Sequence, residues 1–270
     1  QLPTLQTEDL AALSTQQLGG LSSSQIGSLS TAQIVALTTG QASALSSGQL
    51  RALTSDQIQA LETADLVVLS TAQLNALGTG QVAKLSTGQV MSLSSDQVKG
   101  LATAQIQALT TNQIRALETA DLAALGSSQL RALTTNQLNA LTTAQWTALN
   151  TAAMAAIATS LVSGLSTAGI QALTSDQVVQ LTTEQIRALN TAQLQALATA
   201  NLALLSTSQL TGLSSAQVAK LTTDQVVALS SNQVKGLSTV QLAALTTAQL
   251  PVLQTEDLAA LSTQQLGGLS

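Results

Sequence analysis

The side chains that could do chemistry in this chain are few, and they are strictly sorted. There are 13 carboxylates, 8 bases, rows of serine and threonine hydroxyls, a row of glutamine amides and a single aromatic, Trp146. Cysteine, histidine, tyrosine and phenylalanine are absent. That removes disulfides, thiolate and imidazole metal ligation, and histidine acid/base catalysis. The densest acidic pairs are Glu8 with Asp9 and Glu256 with Asp257. A hard cation needs six to eight oxygens converging on one point, and neither pair brings that many together. No nucleophile stands beside a base at a spacing that would activate it. No catalytic, metal or cofactor site is expected.

The spacing of these groups follows an eight-residue repeat. From Leu5 to Gly268 the sequence reads as 33 consecutive octads, for example LSTAQIVA from Leu29 to Ala36. Position 1 is leucine except at Ile157, position 3 is always serine or threonine, position 5 is mostly glutamine, and position 6 is nearly always Ile, Leu or Val. Every acid falls at positions 2 to 5 and every base at position 7 or 8. With the bases scattered singly, no patch could neutralise a run of phosphates, so nucleic acid is not expected as a partner. The uncharged stretch from Ala132 to Ser175 keeps its hydroxyls and its octad phase, so membrane insertion is not expected. The first residues show no basic, apolar leader, so a signal peptide is not expected in this stretch.

Three backbone solutions compete for such a repeat. In a straight strand the apolar positions 1 and 6 would face opposite sides, because their spacing is odd. In one continuous helix the apolar stripe would drift by about 80° per octad. A new short helix in each octad needs neither compensation. Ser30 as N-cap places Gln33 at N3, where its amide can return to the cap, and Leu29 and Ile34 form a hydrophobic staple. Acids would then lie in each first turn and bases in each last turn, as the helix dipole favours. The expected fold is an all-α solenoid or superhelical rod of very short helices, one per octad, with a β-solenoid as the alternative. Because position 2 tolerates Glu62, Ala102, Gly126 and Ala158, position 3 stands as a second candidate for the cap, or else as a semi-buried hydroxyl bonding to an adjacent unit. Pro3 and Pro251, at position 7, suit only a helix of about one turn.

The chain reads as a single continuous array over 1–270, with no linker. The Asp9, Asp65 and Asp121 carboxylates recur every 56 residues, as do Asn201 and Asp257. Between Asp121 and Asn201 lie three extra octads, and three atypical octads occupy 149–172, where Ala153, Leu161 and Gly169 replace the glutamine. Residues 1–22 recur at 249–270 with only Thr4 changed, to Val252. The expectation is one unit of a longer tandem array. The uncharged octads could form a protein–protein contact, and the residues singled out for it are Trp146, Met154, Ile157, Leu161 and Val162.

The consensus L-[ST]-T-x-Q-[ILV]-x-A, as in LSTAQLNA from Leu69 and LTTAQLPV from Leu245, resembles the octapeptide tracts of very long bacterial secreted or surface proteins labelled adhesin-like or hemolysin-like. The resemblance covers the whole chain and implies an extracellular or cell-surface role with no catalytic residues to carry over. The function expected is a structural segment of a fibre, filament or adhesin stalk, with self-association or lateral contact between copies. The alternative is a binding solenoid that presents a Ser/Thr face to glycan, ice or a protein partner.

Overall fold

The computed structural model describes residues 2–269. Among them the regular structure is 31 α-helices of four to six residues and three short 3-10 helices, with no strand. The fold is the all-α solenoid, and the β alternative is discarded.

The octad Leu29–Ala36 shows how each helix starts. Ser30 is extended (φ −73°, ψ 159°) and caps the helix Thr31–Val35. The Ser30 hydroxyl accepts from the Gln33 N–H at 3.2 Å, and the Gln33 Oε1 accepts from the Ser30 N–H at 2.9 Å. Two backbone donors that a helix start would otherwise strand are thus satisfied reciprocally. The cap is therefore position 2, and position 3 becomes the first helical residue, exposed or half-buried. Where position 2 has no hydroxyl, the glutamine still holds the backbone: Ala102 N–H donates to Gln105 Oε1 at 3.0 Å. Many helices end as the next leucine swings into extended backbone, as at Leu45 (φ −61°, ψ 130°), and others end one residue earlier, as at Ala36 (φ −78°, ψ −5°). No described residue has positive φ, so the chain turns corners with ordinary L-residue geometry.

Two of the 3-10 segments hold the prolines, at Leu2–Thr4 and Leu250–Val252. Pro251 lies at the start of its segment, where a missing N–H forfeits no helical bond. The third, Thr151–Ala156, is the octad in which alanine replaces the position-5 glutamine.

By its contacts the chain divides into two units, Gln1–Ala140 and Leu141–Ser270. Within each unit helices lie against those three octads further on. In the first, Ser23–Gly27 packs on Ser47–Ala52 and Ser95–Gly100 on Thr119–Ala124. In the second, Thr167–Gln171 packs on Thr191–Ala196 and Thr207–Thr211 on Ser231–Gly236. Hydrogen bonds between turns join residues 25 to 31 apart, so one turn takes between three and four octads and successive turns are staggered like courses of brick.

Position-1 leucines and position-6 aliphatics fill the interior of each coil; Leu53 and Ile58 are 3% and 0% exposed. Burying such a pair contributes roughly 3–6 kcal/mol per octad before the ordering entropy is subtracted. Isolated helices this short do not persist in water, so the stacking of turns holds them. Position 8 is mostly alanine or glycine, and turns meet closely at some of these sites. A Cβ on Gly100 would stand 2.7 Å from Thr71 Cγ2, and one on Gly212 2.5 Å from Thr183 Cγ2.

Candidate functional site

The polar group that recurs in the interior is the position-5 glutamine. Gln41 is 2% exposed. Its Oε1 accepts from Thr38 N–H at 2.9 Å, while its Nε2 donates to the carbonyls of Leu10 at 2.9 Å and Leu13 at 2.7 Å, one turn earlier. Gln177 does the same in the second unit, donating to Trp146 and Leu149 at 2.7 and 3.0 Å. Each such amide completes a cap in its own octad and grips the C-terminal carbonyls of a helix in the preceding turn. The capping box was legible in the sequence. The grip across the turn was not, because no local spacing encodes it.

A second set of bonds runs outside. Arg51 Nε donates to the Ala76 carbonyl at 3.2 Å, Arg187 Nε to Gly212 at 3.1 Å, and Asn75 Nδ2 to Gly100 at 2.6 Å. Position-7 donors thus meet the last carbonyls of the helix three octads on. For arginines at position 7 this is a geometric reason beside the dipole one.

Asp65, Asp121, Asn201 and Asp257 occupy glutamine slots with a side chain one methylene shorter. All four are buried. Asp121 Oδ1 accepts from the Ser95 hydroxyl at 2.8 Å, Asp257 Oδ1 from Ser231 at 2.8 Å, and Asn201 Oδ1 from Ser175 at 2.9 Å. Asn201 Nδ2 also donates to the Leu173 carbonyl at 3.1 Å. A sequence signal marks these octads: position 2 is then Glu62, Glu118, Ala198 or Gln254, never a hydroxyl. Gln254 Nε2 reaches the Val227 carbonyl at 3.4 Å, taking one acceptor that a position-5 glutamine would serve. Asp65 differs from the rest, because its buried Oδ2 has no hydrogen-bond partner. Burial, and then the neighbouring Glu62 charge, push its carboxyl above the ordinary value, against a lowering by the Glu62 backbone N–H.

Of the acidic pairs, Glu8, Asp9 and Glu256 are exposed, whereas Asp257 is turned inward onto Ser231. Among the described residues no group of three or more His, Cys, Asp or Glu side chains could hold a metal, and no helix is long and apolar enough to cross a membrane.

The atypical octads are packed inward. Trp146, Met154, Ile157 and Val162 are buried, and Leu161 is half-buried. Gly169 makes room for the indole: a Cβ there would lie 3.2 Å from Trp146 Nε1, Cε2 and Cζ2. The cavity among Trp146, Met154, Ile157, Val162 and Ile170 measures about 10 Å³, no more than one water needs, and its lining is apolar. Gln185 and Gln193 of the next turn still grip the carbonyls of Met154 and Val162, at 3.0 and 2.7 Å. The substitutions thus alter the interior while the following turn keeps its hold on the main chain.

A search among curated proteins found none that matches. The family model of the ALTTAQ repeat matches seven times, at residues 2–39, 58–95, 82–117, 114–151, 186–223, 198–231 and 218–255. Those segments span well over half of the sequence and follow the same octads that build the coils, so the chain belongs to the ALTTAQ repeat family.

Proposed function

We propose that this chain is a structural segment of a bacterial extracellular fibre, filament or adhesin stalk. The observation that carries the reading is the glutamine grip. Within each unit position-5 glutamines fasten one turn to the one before it by acting on main-chain oxygens, so stability accrues turn by turn and a coil can be extended without a new core. The polar groups that recur in the interior are consumed in this fastening. The near-identity of 1–22 and 249–270 supports the same reading, since a block of almost three octads recurs within the array. Sparse charge and short-chain hydroxyls on the outside suit lateral packing of copies.

Electron microscopy of the full-length polypeptide tests the shape, and antibody labelling of intact, unpermeabilised cells tests the location. A thread lengthening with octad number, labelled from outside, is expected. A compact particle, or labelling only after permeabilisation, overturns the reading. Specific retention on a glycan array or arrest of ice growth would favour a binding solenoid instead.

A further inference from the structure

The glutamine slot has a definite chemical demand. A position-5 amide meets it by donating to the leucine carbonyl 28 residues earlier, as Gln41 does to Leu13, Gln73 to Leu45 and Asn201 to Leu173, whereas Asp121 and Asp257 offer no such donor and have their carboxylates satisfied by Ser95 and Ser231 instead. At the Asp65 slot the equivalent carbonyl is that of Leu37, and this side chain has only oxygens to offer. A carboxylate cannot donate to it, and no other described side chain does so. Ser95, Ser175 and Ser231 satisfy an oxygen of the other short side chains, but the equivalent residue here is Thr39, and Asp65 Oδ2 stays unpartnered at 1% residue exposure. The two helices packed on this one, Thr39–Ala44 and Thr87–Met91, carry no charged residue. Ser95–Gly100, held through Gln97 to the Leu66 carbonyl at the far end, carries Asp96 and Lys99. The charge that acts on Asp65 is Glu62, of the same sign.

We propose that Asp65 is a protonation-controlled joint: as the neutral acid its hydroxyl donates to the Leu37 carbonyl, making the bond that Asn201 makes to Leu173, and as the carboxylate it leaves that carbonyl facing a charge. Burial and Glu62 both favour the neutral form. The proton is held more tightly folded than unfolded. The joint therefore contributes its full stabilisation below the ordinary carboxylate value of 3.8 and loses it as pH rises through the elevated folded value. The fibre would be locally tighter in acid and looser at this one turn when ionised.

The test compares the full chain with Asp65→Asn, whose amide donates at every pH, and with Glu62→Gln. Hydrogen-exchange protection of the helix Thr63–Val67, corrected for the intrinsic rate, is followed against pH. Wild type should match Asp65→Asn in acid and fall below it as pH rises, with the divergence moved to lower pH in Glu62→Gln. An infrared carboxylic-acid band present in wild type and lost in Asp65→Asn should fade over the same range. Wild type tracking Asp65→Asn at all pH values, or diverging from it towards acid, overturns the proposal.

Discussion

Gln105 Nε2 donates to the Leu74 carbonyl at 2.8 Å, across 31 residues of chain, while its Oε1 accepts from Ala102 N–H at 3.0 Å. Ala102 offers no capping hydroxyl, and its N–H is shared between Gln105 and the Asn75 Oδ1 at 2.9 Å, so what Gln105 contributes alone is its grip on the preceding turn. Replacing Gln105 by alanine removes the amide donor from the Leu77 carbonyl in the interior and leaves the Leu74 carbonyl with the Leu77 N–H alone. The expected loss is about 1–3 kcal/mol, the penalty of a buried acceptor left unpaired. Denaturant unfolding and exchange of the amides around Leu74 measure it, and a variant as stable as wild type would remove the grip from the account.

Positions 2 and 3 should respond differently although both carry hydroxyls. Ser86 accepts from Gln89 N–H at 3.1 Å, whereas Thr87 is exposed. Ser86→Ala should destabilise by about 1 kcal/mol, and Thr87→Val should stay within about 0.5 kcal/mol. Equal effects in thermal melts would return the cap to position 3.

Gly169 and Trp146 should behave as a coupled pair. Restoring the family glutamine as Gly169→Gln drives a side chain into the indole and should cost about 1–3 kcal/mol. The same change in a Trp146→Ile background should cost far less, so a double-mutant cycle should return a clear coupling energy. Additive effects would mean that the glycine serves some other purpose.

Trp146 is also the chain's single fluorophore of its kind, 2% exposed among Met154, Ile157 and Val162. Its emission should be blue-shifted and protected from acrylamide, moving to the red only when that part of the coil unfolds. Ready quenching in the native state would show that the indole sits outside.

Much of the fold was legible because its rules are local. Leu29, Ser30, Gln33 and Ile34 lie within six residues, so cap, box and staple could be read from spacing alone. What spacing could not show was the distance at which turns meet. Gln33 as a capping residue is visible in its own octad, but Gln33 as a donor to Leu2 and Leu5 depends on how many octads close a turn, and packing decides that. The ambiguity at position 3 had the same origin. Its constant hydroxyl suggested either a cap or a bond to an adjacent unit, and Ser95 and Ser231 take the second role, serving carboxylates one turn away. The pairing of a short acid at position 5 with a missing hydroxyl at position 2 was present in the sequence, and it becomes meaningful only once the slot's demand for a donor is known.

The amide of each glutamine takes hold of peptide oxygens, which every residue type supplies. Adhesion between layers therefore does not depend on which side chains the layer below displays, and unlike neighbours can be joined as readily as identical ones. Whole octads can be gained or lost by recombination without new partners having to evolve, and the three extra ones between Asp121 and Asn201 bear the mark of such an event. The length of such an array can change by whole octads while its fold stays the same.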